Sequence, residues 1–127
     1  MKEIKIGAEN EKEILVTEAL LAKTVGSGNV AVYATPMMLA LMEGAAAELL
    51  AGFLDEGETS VGSHIESSHL APTAEGRRVR AVAKVTAAEG RKVSFAIQAF
   101  DEKGMIGEGT HTRVVVNQER FEQKALA

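Results

Sequence analysis

Hydrophobic and polar positions follow two rhythms along this chain, and the change between them divides it. Residues 35–57, TPMMLALMEGAAAELLAGFLDEG, are apolar at nearly every position, which predicts a helix buried nearly all round. Thr35 has the chemistry of an N-cap, and Pro36 then falls at the first helical position, where a missing N–H costs nothing. Gly57 ends the segment, with Gly52 an earlier candidate stop. After the helix the period becomes two. Strands are predicted over 60–70, 78–87, 92–100 and 104–117. Val79, Ala81, Ala83 and Val85 share one face of the second of these, with Arg78, Arg80, Lys84 and Thr86 on the other. Val93, Phe95, Ile97 and Ala99 face inward from the third. Turn residues at Glu89-Gly90 and Asp101–Gly104 join these strands as antiparallel hairpins. Before the helix, EILVTEALLAKTV (13–25) fits either period, and a strand is assigned to its first half. The glycines of GSGN (26–29) make a flexible loop. The last ten residues form a polar tail or a short helix.

The order is therefore strand, loop, buried helix and four antiparallel strands, an α+β layout. A sheet wrapped around one long central helix is the hotdog fold, and other α+β topologies share this order. The chain has 127 residues, which fits one domain spanning 1–127. At 46% hydrophobic and 25% charged it has the composition of a soluble globule able to bury a core without staples. It contains no cysteine, which removes disulfides, thiolate metal sites and a thiol nucleophile. With a polar N-terminus unlike a signal peptide, this points to the cytoplasm. No run approaches the ~20 apolar residues of a membrane span, so no membrane role is expected. The net charge of −4 and 4% aromatic content argue against nucleic acid as a partner.

Three polar residues stand out. Glu43 lies mid-helix, and its neighbours at three and four residues are Leu39, Ala40, Ala46 and Ala47. It either sits on a narrow solvated stripe or is a paired, buried carboxylate able to act as base or nucleophile. His69 shares strand parity with Val61 and Ile65, the core-facing side, where a satisfied core histidine is the simpler reading; His64 has the opposite parity and is exposed. Thr35 and Glu43 lie eight residues apart, about 12 Å along a helix axis. Their side chains cannot meet within one chain, so a site using both takes Thr35 from one subunit and Glu43 from another. His111 shares parity with Gly109 and Arg113 and has no further assignment. Arg77, Arg78, Arg80, Arg91 and Lys92 could meet ligand phosphates or simply solvate a strand. There is no G-x-S-x-G elbow, phosphate loop or H-E-x-x-H motif.

VYATPMMLALMEGAAAELL, TSVGSHIESSHLAPT and IGEGTHTRVVV resemble the hotdog-fold acyl-CoA thioesterases of the fluoroacetyl-CoA thioesterase type, from about Val30 to Val116. The specific signature is a Thr opening the helix, a Glu eight residues on and a His 26 residues after that, matched by Thr35, Glu43 and His69. The resemblance implies hydrolysis of an acyl-CoA, with a small acyl group, to a carboxylic acid and CoA. It requires no cofactor and no metal. The implied assembly is a homodimer with sites at the subunit interface, a dimer of dimers being the larger alternative. By the same resemblance Thr35, Glu43 and His69 are catalytic, while Gly62, whose N–H lies at the thioester carbonyl, and Arg113 bind substrate. Glu43 would attack the carbonyl or activate water. The chain departs from the pattern at the lid, where Gly26 and Asn29 replace two phenylalanines that help select a fluorinated acyl group. Met37, Met38, Leu39 and Met42 either line an acyl pocket or fill the core. The competing reading is a non-catalytic acyl-CoA-binding hotdog module. A hotdog hydratase would want an Asp–His pairing that the helix lacks.

Overall fold

A computed structural model describes all 127 residues. Strand β1 (Glu9–Leu15) leads through a 3-10 turn (Glu18–Leu20) to a short helix α1 (Ala22–Val25) and the central helix α2 (Thr35–Ala51). Strands β2 (Glu58–His69), β3 (Arg78–Glu89), β4 (Lys92–Asp101) and β5 (Gly104–Asn117) follow, and α3 (Gln118–Leu126) closes the chain. One antiparallel sheet has the order β1-β3-β4-β5-β2, with α2 against one face. This is the hotdog arrangement.

The sheet's inner face is what the alternation predicts: Val79, Ala81, Ala83 and Val85 of β3 and Val93, Phe95, Ile97 and Ala99 of β4 are all buried. They meet Met38, Leu41, Met42, Ala45, Ala46 and Leu50 of α2. Burying each of the large side chains among these is worth roughly 1.5–3 kcal/mol. Met38 and Met42 are fully enclosed in this core, so they fill space there. The helix is built from Ala, Leu and Met, which lose little on entering helical geometry.

Several expectations change. The helix ends at Gly52, the earlier of the two candidate stops. It is not buried all round, for Ala40, Glu48 and Ala51 lie on an exposed side. Alanine supplies helix propensity without requiring burial, so an apolar sequence does not by itself imply enclosure. The first strand begins earlier, at Glu9, and stops at Leu15; Glu18–Leu20 and Ala22–Val25 are helical on either side of Leu21, which is extended and bridges Tyr33. The tail is a helix capped by Asn117, whose side-chain oxygen accepts from the Arg120 N–H.

Val61 does not share a face with Ile65 and His69. The pairing of β2 with β5 shifts between Gly62 and His64, leaving Ser63 as an extra residue. This bulge turns Gly62, opposite Arg113, to the helix side and sends Val61 to the other.

Candidate active site

Thr35 is the first residue of α2, not its cap. Ala34 occupies the extended cap position and no side chain satisfies the free N–H groups there. The Thr35 hydroxyl is bonded to His69 instead, with Oγ1 2.7 Å from Nδ1. His69 ends β2, half-buried, and its Nε2 is buried with no hydrogen-bond partner. Burial pushes the imidazole below the ordinary histidine value, partly offset by the Ala71 backbone, which favours the neutral ring at pH 7. The pair borders a cleft of about 340 Å³. Ser27, Gly28 and Val30 of the loop before α2 form one wall, and Leu70 and Pro72 another.

Glu43 lies two helical turns further on, beside a second cluster. Its side chain is 42% exposed, so within one chain it is neither buried nor on a fully solvated stripe. A Cβ added to Gly62 would lie 2.5 Å from Glu43 Oε2. The absent side chain is what lets the carboxylate rest against the strand. Arg113 Nη1 stands 3.6 Å from the same oxygen, an ion pair too long for a good hydrogen bond. Arg113 is itself buried and held by Ser60, donating from Nε to Oγ (2.8 Å) and from Nη2 to the backbone oxygen (2.9 Å). Burial lowers its pKa, with Glu43 acting in the opposite direction.

Thr35 and His69 are thus brought together, as are Glu43, Gly62 and Arg113, but the two groups remain apart in one chain. No group of three or more His, Cys, Asp or Glu side chains is arranged to hold a metal ion. Three of the five basic residues noted above meet carboxylates: Arg77 pairs with Glu102, Arg80 with Glu11 and Arg91 with Glu58. Their main role is therefore on the strands' own surface.

The profile of the family described as fluoroacetyl-CoA-specific thioesterase matches residues 16–119. The fluoroacetyl-CoA thioesterase of Streptantibioticus cattleyicolor is 40% identical over 93 residues, covering 73% of this chain and 67% of that protein. This chain belongs to the fluoroacetyl-CoA-specific thioesterase family. A structure of the fluoroacetyl-CoA thioesterase superposes with a TM-score of 0.92 at 30% identity, over 98% of this chain and 96% of the other. A thioesterase superfamily member from Thermus thermophilus gives 0.90 at 36% identity, over 97% and 91%. One structure of the fluoroacetyl-CoA enzyme holds fluoroacetate and CoA.

In this member of the fluoroacetyl-CoA-specific thioesterase family, two residues that contact Arg113 escape sequence reasoning, Ser60 and His111. His111 is 1% exposed on β5 and touches both Arg113 and the β2 backbone. Its parity with Arg113 was the available signal, and it placed the two on one face without showing contact. At the lid positions, Gly26 caps α1 in the left-handed region (φ +84°), and Asn29 is exposed in the loop that follows.

Proposed function

We propose that this chain hydrolyses small acyl-CoA thioesters with Glu43 as its central catalyst, in a homodimer that joins one subunit's Thr35 and His69 to the other's Glu43, Gly62 and Arg113. Thioester hydrolysis is the family's reaction and this chain's: acyl-CoA and water give a carboxylate and CoA thiol. The observation that carries the residue assignment is the carboxylate resting on the bare Gly62 backbone with Arg113 behind it. A thioester carbonyl seated there meets a backbone N–H donor for its developing oxyanion. Glu43 then either takes a proton from the attacking water or adds to the carbonyl, forming an anhydride that water cleaves.

The departing thiolate needs little acid assistance, since a free thiol ionises near pH ~8.5. The neutral His69 is suited to a lighter task. Thr35 holds one ring nitrogen and the other lies buried without a partner, so the ring can accept or return a proton as the tetrahedral intermediate collapses. The dimer is supported by chain geometry, because Thr35 and Glu43 lie about 12 Å apart along one helix. A small acyl group fits the modest cleft, and the fluoroacetyl preference of the relative is not carried over, because the lid positions here are Gly26 and Asn29.

A panel of short, branched and aromatic acyl-CoAs, with fluoroacetyl-CoA beside acetyl-CoA, tests the reading by thiol release. Glu43→Gln is expected to lose at least about a hundredfold in kcat while still binding substrate. A folded protein with no turnover on any ester would favour the binding-module alternative. Discrimination between fluoroacetyl- and acetyl-CoA is expected to stay within about tenfold, a difference worth ~1.4 kcal/mol.

A further inference from the structure

His111 is a buried ionisable group that none of these steps uses. Both of its ring nitrogens have determined roles. Nδ1 lies 2.7 Å from the His64 carbonyl, which can only accept, so Nδ1 carries the proton. Nε2 lies 3.2 Å from Arg113 Nη1, which can only donate, so Nε2 offers its lone pair. The neutral Nδ1–H tautomer alone satisfies both. The cation would set an N–H against a guanidinium, and the other tautomer would set a lone pair against a carbonyl.

We infer that His111 is a positioning residue, which holds the Arg113 guanidinium toward Glu43 through its Nε2 lone pair. Ser60 fixes Nε and Nη2 of Arg113 from one side, and Nη1 is the nitrogen nearest the carboxylate. His111 is the acceptor that fixes Nη1. The ring itself is held by stacking on Phe95, with centroids 6.0 Å apart and planes 29° from parallel. Through His64 it also grips β2 at the Ser63 bulge, next to Gly62. The charged and titratable groups facing it are Arg113, Glu43 and His64. One neutral imidazole therefore joins the bulge, the arginine and, through the arginine, the carboxylate.

This inference rests on the thioesterase reading for its kinetic consequence but not for its geometry. The test compares His111→Gln with His111→Asn, beside wild type and Glu43→Gln. Glutamine places an amide oxygen near the Nε2 position and keeps the acceptor for Arg113. Asparagine reaches only the Nδ1 position, keeping a donor for His64 and losing that acceptor. His111→Asn is expected to lower kcat by about tenfold or more with KM within about threefold, as loss of orientation does, while His111→Gln stays within about threefold of wild type. Nitrogen-15 spectra of the guanidinium provide a readout independent of turnover. The Arg113 Nη signals should be restrained in wild type and His111→Gln and averaged by rotation in His111→Asn. The inference is overturned by an Asn variant with wild-type kcat and restrained Arg113, or by a Gln variant as impaired as Asn. A wild type with no thioesterase activity would sink the functional reading, and the guanidinium signals would then decide the positioning role by themselves.

Discussion

At the scale of single residues, the candidate site depends on one missing side chain. A Cβ at Gly62 would stand 2.5 Å from Glu43 Oε2, 3.1 Å from His111 Cε1 and 3.5 Å from Arg113 Nη1. The tightest contact is with the far end of a flexible side chain, so the carboxylate can swing away, and the His111 ring need give by only a few tenths of an ångström. Gly62→Ala is therefore expected to cut kcat by about 10- to 100-fold, because displacement by about 1 Å is enough to spoil catalytic alignment. Stability should change by less than about 1 kcal/mol. Steady-state kinetics with urea denaturation of the same preparation checks both halves, and an active Gly62→Ala would mean that Glu43 works from another position. Glu43 and His69 were legible as candidates because each breaks a local rule, an acid among alanines and a histidine with core parity, and Thr35 because it opens the helix eight residues before Glu43. Ser60 and His111 were not, because a serine on a strand and a histidine near an arginine break none. Their roles arise from pairing across β2 and β5, which a one-dimensional pattern does not contain.

At the scale of elements, helix α2 could be read from its unbroken apolar run, and the β3–β4 hairpin from the alternation over 79–85 and 93–99, which ends where the β3 register shifts between Val85 and Ala87. β2 could not be read through, since the extra residue at Ser63 reverses the phase and moves Val61 off the face that holds Ile65 and His69. The same pair of strands has a second point of close approach. A Cβ at Gly109 would run into the backbone of Glu66 and Ser67, and neither can swing aside as a side-chain tip can. Gly109→Ala is therefore expected to force β2 from β5 and to destabilise the fold by about 2–4 kcal/mol, in the range of steric overpacking. Chemical denaturation measures this, with Gly62→Ala as the control on the same strand pair. Equal destabilisation by the two would contradict the distinction between a backbone obstacle and a side-chain one.

At the scale of the whole molecule, one buried and one half-buried histidine tie stability to pH. Burial lowers both His69 and His111 from the ordinary 6.5. Between that value and their folded values the unfolded chain binds more protons than the folded one, so stability falls as pH drops below about 6.5 and levels off once the folded rings also protonate. Urea midpoints between about pH 7.5 and about 5.5 should show this, and the dependence should be shallower in His111→Gln. The assembly gives a sharper test, since the fold leaves Thr35–His69 and Glu43–Arg113 as two separate clusters along helix α2, the first completed by β2 and the second by β5. If a two-fold axis joins half-sites from different subunits, a mixture of Glu43→Gln and His69→Ala chains must contain intact sites. Unfolding and refolding equal amounts together makes half of the dimers mixed. Each mixed dimer pairs one unaltered Thr35–His69 with one unaltered Glu43, and its second site carries both lesions. Activity should then return to on the order of a quarter of wild type, from two preparations that are each nearly inactive alone. A site contained within one chain predicts no recovery at any mixing ratio, so the same experiment would refute the shared-site arrangement.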